Sequence, residues 1–304
     1  MTTHHQIKMQ NGCPCDGRER GRQSCPKVSV LIPVYNTNLT HLREAIDSIL
    51  GQTFTDFELI ILNDSPDNAE LESMILSYKD TRIVYNKNEH NLGISPSRNK
   101  LMEMARGEYL AVFDHDDVSA PDRLELEANY LDAHPSVGVV SGQYQTFGIK
   151  SKPPSRNPVD DLDIKINLTY GCAVFHTAAM IRKSILTKYG LGYEEKFSPA
   201  EDYRLFTRLM DFTEFHNIDK VLVQYRWHGA NTSRHKRVME NASDGIRMSV
   251  RMRYPLLASE EKKRRGWRIK LFGIIPVLYI KKHRGSKFWA KLFNVVPILT
   301  WRDR

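Results

Sequence analysis

Tyr109-Leu110-Ala111-Val112-Phe113-Asp114-His115-Asp116-Asp117 is an apolar, β-rich run that stops abruptly in three carboxylates and an imidazole. Consecutive apolar residues of this kind suit a strand covered on both faces, and such strands belong to sheets flanked by helices. Carboxylates this close repel one another unless a cation or hydrogen bonds offset the charge. Two readings are open for the cluster. It can hold a divalent metal through oxygen ligands and so bridge a diphosphate, or it can be a solvated acidic turn ahead of a helix beginning near Pro121 and Asp122.

Outward from this run the same arrangement repeats. Val28 to Val34 forms a first buried strand that ends against Asn36-Thr37-Asn38, and Leu39, Leu42, Ile46, Ile49 and Leu50 then recur at helical spacing before Gly51. Leu59-Ile60-Ile61-Leu62 ends directly in Asn63-Asp64. Leu71, Met74, Ile75 and Tyr78 mark a helix, and Arg82 to Tyr85 a strand. Ser95-Pro96 reads as a capping hydroxyl before a proline at the first helical position, with Leu101, Met104 and Ala105 as the apolar stripe and Gly107 as the stop. Alternation with short connections predicts an α/β fold with a mostly parallel sheet, right-handed crossovers and ligands beyond the carboxyl ends of the strands. Asn36, Asp64 and Asp114 to Asp117 all follow strand ends, so one edge of one sheet gathers them.

Downstream, Val137 to Val140 is a strand and Lys152 to Pro158 a loop, followed by an expected helix from Thr177 to Lys188. Ser198-Pro199-Ala200-Glu201 reads as a capping box, which puts Asp202 in the first turn of a helix continued by Leu205, Phe206, Leu209 and Met210. The dipole there favours an ionised carboxylate able to accept a proton. Val221 to Tyr225 is a late strand ending in Arg226-Trp227-His228. Asp64 can be a turn residue or an acceptor for the imide N–H of a pyrimidine base. Arg98 can be solvated or can meet an anion at a helix start. His228 can supply an imidazole to the same metal as the acidic cluster, or be an ordinary histidine.

The 304 residues are 41% hydrophobic and 26% charged, which excludes a disordered chain, a collagen and a small disulfide scaffold. Four cysteines, three of them in a polar leader, suit reduced thiols in a cytosolic protein, and their spacing is not that of a zinc site. No apolar segment follows the first methionine as a signal peptide would require, and none approaches the roughly 18 residues of a membrane span. The net charge is +8, yet residues 260–304 carry 13 Lys/Arg against 3 Asp/Glu, a net +10, so the rest of the chain is slightly acidic. A basic tail on a near-neutral body points to an anionic membrane surface and away from nucleic acid. Within the tail, Lys270-Leu271-Phe272-Gly273-Ile274-Ile275-Pro276-Val277-Leu278 recurs as Lys291-Leu292-Phe293-Asn294-Val295-Val296-Pro297-Ile298-Leu299, near Trp267, Trp289 and Trp301. Such blocks are too short to span a bilayer but suit its interface, or packing on the protein. The expected organisation is a flexible polar leader over 1–26, a catalytic domain over 27–235 and a basic amphipathic, helical appendage over 236–304.

Taken together, Val30 to Asn36, Asn63-Asp64, Asn91 to Asn99, Asp114-His115-Asp116, Glu201-Asp202 and Tyr225 to His228 resemble, in order, the motifs of the family 2 glycosyltransferases of the GT-A fold, which build bacterial surface polysaccharides. The resemblance implies a nucleotide-sugar half over 27–142 and an acceptor half over 143–235. It implies that Pro33, Tyr35, Asn36 and Asp64 line the nucleotide, with Arg98 and Arg226 toward the nucleotide-sugar and Asp114 on the ribose side. It further implies Asp116 or Asp117, with His228, as ligands of Mn or Mg, and Asp202 as general base supported by Glu201. The activity so implied is inverting transfer of a hexose or N-acetylhexosamine, from a UDP-sugar by preference, to a glycan or lipid-linked glycan at the inner face of the cell membrane. An oligomer is compatible with it. A nucleotidyltransferase on the same fold and a non-catalytic sugar-binding scaffold are the rival readings. A dinucleotide-binding dehydrogenase is disfavoured because Pro33-Val34-Tyr35-Asn36 stands where G-x-G-x-x-G would be.

Overall fold

The computed structural model describes residues 25–229, 231 and 236–264, with side chains to residue 260, and the backbone of 267–271, 275–283, 287–292 and 296–302. The elements run β1 (Val28–Val34), α1 (Leu39–Leu50), β2 (Phe57–Asn63), α2 (Ala69–Leu76), β3 (Ile83–Lys87), α3 (Ile94–Met104), β4 (Tyr109–Val112), β5 (Val118–Ser119) and α4 (Arg123–Ala133). They continue with β6 (Val137–Gly148), α5 (Asp161–Leu168), β7 (Met180–Arg182), α6 (Lys183–Tyr189), α7 (Glu201–Leu209), β8 (Glu214–Trp227), α8 (Lys236–Arg253) and α9 (Pro255–Arg264).

One eight-stranded sheet has the order β3-β2-β1-β4-β7-β6-β8-β5. The pairs among β1, β2, β3 and β4 are parallel, as is β6 with β8, whereas β7 runs antiparallel to both β4 and β6. The expected α/β architecture is thus present, with a mixed sheet in which β7 interrupts the parallel order. Along β1, Val30, Ile32 and Val34 face a core completed by α1, α2 and α4, while Leu31 faces the other, completed by α3 and α7. Burial on both faces is why the strand reads as an uninterrupted apolar run.

Register brings the polar strand ends together. Val34 lies opposite Asn63, and Leu31 opposite Val112, so Tyr35, Asp64 and Asp114 leave the sheet at one edge. Gly107 permits the close approach of β4 to β1: its N–H donates to Ser29 Oγ, and a Cβ there would lie 2.5 Å from the Ser29 nitrogen.

Several local expectations are corrected. Ser95 does not cap α3. Gly93 holds the cap position at φ 88°, and Ser95 lies inside the first turn. Ser198 likewise does not cap α7, whose N-cap is Ala200 without a side-chain bond. The helix expected from Thr177 to Lys188 is a 3₁₀ turn (His176–Ala178), the strand β7 and only then α6. Met180 and Ile181 are taken into the sheet between β4 and β6, and that burial overrides their helical spacing. Both β6 and β8 extend well beyond their apolar segments. Cys25 is disulfide-bonded, contrary to the expectation of reduced thiols, while Cys172 is free.

The basic appendage is helical through α8 and α9, and Ile246, Val250 and Ala258 are buried against the body. Beyond α9 the backbone forms β9 (Trp267–Leu271), β10 (Ile275–His283), β11 (Lys287–Leu292) and β12 (Val296–Arg302), an antiparallel four-stranded sheet in which the sequence repeat becomes two successive hairpins. The leader over 1–24 lies outside the described residues.

Candidate active site

A cleft of ≈ 1240 Å³ opens at the carboxyl ends of the central strands. Of the residues singled out in the sequence, Pro33, Tyr35, Asn36, Asp64, Arg98, Asp114, Asp116, Glu201, Asp202 and His228 line it, whereas Asp117 and Arg226 do not.

On the β1–β2 side, Tyr35 is half exposed and Asn36 takes φ 40°, with its N–H donating to Ser65 Oγ at 2.7 Å. Asp64 is buried and accepts from Asn88 Nδ2 (2.7 Å), Leu92 N–H (2.8 Å) and Gly93 N–H (2.9 Å). Its first task is therefore to anchor the turn that opens α3. Oδ1 is filled by two of these bonds, and Oδ2 keeps one lone pair.

The centre is organised by Arg98, which is neither solvated nor free for an anion. Its Nη1 donates to Glu201 Oε1 at 2.6 Å and its Nη2 to Asp114 Oδ1 at 3.1 Å. Asp114 Oδ2 accepts from Thr177 Oγ1 at 2.5 Å. Burial opposes ionisation of Asp114, but Arg98, reinforced by the Thr177 hydroxyl, holds its carboxyl down at about 2. His176 is buried against Tyr193, 2.8 Å from its hydroxyl, and burial together with Arg98 pushes the imidazole down to about 3, so it is neutral.

Asp116 and Asp117 part company. Asp116 Oδ2 is 2.7 Å from His228 Nε2 on the cleft wall. Asp117 is fully buried and accepts the Arg226 N–H at 2.7 Å, fixing the acidic turn to β8. Burial, then Asp116 and Asp114, push its carboxyl well above the usual range. Arg226 braces the same turn from behind: Nε donates to the Asp116 carbonyl at 2.7 Å, Nη2 to Glu44, and the guanidinium lies over the Phe147 ring. Of the two carboxylates, only Asp116 lines the cleft.

Among the described residues no group of three or more His, Cys, Asp and Glu is assembled as a metal cage. One carboxylate and one imidazole on the cleft wall nonetheless fit Mg²⁺ or Mn²⁺, which take few protein ligands and complete their shells with phosphates and water.

Asp202 stands on the first turn of α7, its Oδ1 accepting the Tyr203 N–H at 2.6 Å. Burial, with Glu201 alongside, pushes its carboxyl up to about 6 against the pull of Arg98. At neutral pH it is still mostly ionised, although desolvation outweighs the helix dipole and lifts the carboxyl above an ordinary value. Sequence reading missed Thr177, His176, Tyr193 and His41. Each reaches the site through tertiary placement, and no local pattern marks it.

This sheet, with its acidic strand end facing a carboxylate-bearing helix, is that of a GT-A glycosyltransferase. Residues 29–190 match Glycosyl transferase family 2, and the chain belongs to that family. An uncharacterized glycosyltransferase of Methanocaldococcus jannaschii is 34% identical over 217 residues, covering 68% of this chain and 72% of its own. The Staphylococcus aureus TarS 1–349 structure in complex with UDP-GlcNAc matches with a TM-score of 0.59 and 19% identity, over 71% of this chain and 65% of that one. The mannosyltransferase PcManGT of Pyrobaculum calidifontis, in complex with GDP-Man and Mn²⁺, matches at 0.51 and 20%, over 66% and 56%. This chain thus spans less than two thirds of either structure, and at these identities the likeness carries the fold.

Proposed function

We propose that the protein is an inverting glycosyltransferase that moves a hexose or N-acetylhexosamine from a nucleotide-diphospho-sugar, UDP being the expected nucleotide, to a hydroxyl of a glycan or lipid-linked glycan. The observation that carries this reading is Asp202: a cleft-lining carboxylate whose proton affinity, near pH 6, suits acceptance of a proton at neutral pH. In one displacement the acceptor oxygen bonds to the anomeric carbon and its proton passes to Asp202. The bond from that carbon to the diphosphate breaks, and its electron pair leaves with the nucleoside diphosphate. Attack from the face opposite the leaving group inverts the centre. Tyr35 offers a ring to the base, and Asp64 Oδ2 retains a lone pair for an N–H donor. Asp116 and His228 would hold a divalent cation, which when bound neutralises charge on the leaving diphosphate. The nucleotide-sugars bound by TarS and PcManGT, and the Mn²⁺ of the latter, support both assignments by likeness.

Asp202→Asn is expected to bind a UDP-sugar as wild type does and to lose transfer by about 10² to 10⁴. Product analysis should find free nucleoside diphosphate; pyrophosphate instead would mark a nucleotidyltransferase. For the metal, calorimetric titration with a UDP-sugar should show affinity that EDTA removes and Mn²⁺ restores. Equal affinity in both conditions would remove the cation from the scheme.

A further inference from the structure

The cleft has a wall that the transfer chemistry does not use. Tyr144 from β6 stacks on Phe175 with centroids 4.0 Å apart, and Tyr225 from β8 meets both edge-on at 6.0 and 5.7 Å. All three rings line the cleft. Phe175 packs against the core behind it, whereas Tyr144 and Tyr225 belong to neither core cluster. Tyr225 also meets Trp227 edge-on at 6.3 Å, and its hydroxyl accepts from Asn231 Nδ2 at 3.4 Å, so the wall is braced from β8 while both tyrosines remain half-buried at the cleft.

A polar group is placed beside them. Gln143, buried at the base of the wall, accepts the Asn157 N–H through Oε1 at 2.7 Å and donates through Nε2 to the Asn157 carbonyl at 3.1 Å. That clamp fixes the backbone of Asn157 in the loop after β6. Its side-chain amide, among the described residues, makes no hydrogen bond to protein, and the residue lines the cleft. A buried side chain thus holds an unused amide in the same cleft as the aromatic wall.

We propose that Tyr144, Tyr225 and Asn157 form the subsite for the acceptor, and that this acceptor is presented as a pyranose ring. A pyranose has an apolar C–H face that an aromatic ring covers, and an edge of adjacent hydroxyls that an amide can both donate to and accept from. A polyprenyl chain would need apolar surface throughout and would leave the amide unpaired. Sheet order places the wall appropriately. The nucleotide side is built on β1 and β2, the wall on β6 and β8, and the acidic end of β4 lies between them. This assignment rests on the transferase reading, since only a transferase needs a second substrate there.

The test uses the full chain with UDP and Mn²⁺ present and a panel of methyl hexopyranosides and N-acetylhexosaminides as probes. Saturation-transfer NMR should show ring C–H protons of at least one probe receiving magnetisation, and titration should show Asn157→Ala and Tyr144→Ala weakening that probe about tenfold. Calorimetric UDP-sugar affinity should be unchanged in both variants. Asn157→Ala removes no protein hydrogen bond among the described residues, so it remains informative if truncation of Tyr144 disturbs Phe175. Failure of the wild type to bind any nucleotide-sugar would overturn the transferase reading. UDP-sugar binding with no probe bound, or with probe binding untouched by Asn157→Ala, would overturn the subsite alone.

Discussion

Arg98 and Asp202 show how two side chains divide the work of one site. A lysine at position 98 would keep the positive charge but could not reach both Glu201 and Asp114, because an ammonium lacks the planar fork. Arg98→Lys should therefore lower kcat about ten- to a hundredfold through misplacement of α7 while leaving the Kd of a UDP-sugar within about twofold. Weakened donor affinity as the main effect would instead put Arg98 on the donor. For Asp202, the base form is needed, so transfer should rise with pH through about 6. The same shift carries a stability consequence. A carboxyl raised above its unfolded value of about 4 stabilises the fold below that pH, and the contribution is lost as pH rises through about 6. Asp202→Asn should accordingly melt at a higher temperature than wild type at pH 7.5, with the difference fading toward pH 4.

At the scale of elements, α4 is locked to the sheet by Arg123, whose Nη2 donates to the Val112 carbonyl at 3.0 Å and whose Nε meets Glu127 at 3.1 Å, both side chains being fully buried. Burial pushes the Glu127 carboxyl up to about 8 against the pull of Arg123, so near neutral pH Arg123→Ala leaves buried polar groups unpaired more than a bare charge. It should cost about 1 to 3 kcal/mol, read from the midpoint of denaturant unfolding, and the cost should grow as pH rises through about 8 and Glu127 ionises without its partner. The central strands were legible because burial on both faces writes itself as an apolar run, as in Leu59 to Leu62. The same logic hid β7, whose Met180 and Ile181 carry no alternation over so short a span, and it hid the polar halves of β6 and β8. Helix starts misled for another reason. Ser95 and Ser198 have the chemistry of caps, but the chain turns at Gly93 because Asp64 binds the Leu92 and Gly93 amides. The carboxylates of the site could be picked out by type and position, whereas their partners could not: Thr177 and His176 follow no motif and arrive by folding.

Across the whole molecule, the acidic body and the basic tail do different things. Among the described residues no helix is long and apolar enough to cross a membrane. One side of α8 and α9 packs on the body through Ile246, Val250 and Ala258, and residues 265–304 carry 10 Lys/Arg against 1 Asp/Glu, which is most of the tail's positive charge. Removal of residues 265–304 should leave UDP-sugar binding intact and abolish sedimentation with phosphatidylserine-containing vesicles at low salt, while high salt weakens binding of the full chain. Truncation after residue 237 is a poorer experiment, because it strips Ile246 and Val250 from the core.

Met239, at the start of α8, is itself part of the cleft wall. The helix that leads toward the basic tail is therefore also a component of the candidate active site. On the proposal that the tail meets a membrane, anything that shifts α8 would alter the shape offered to the substrate, and by linkage a substrate that selects one position of α8 would alter the grip of the tail. Anchorage and turnover would then share a lever, and a protein held at a surface would not need the same substrate affinity as one adrift from it.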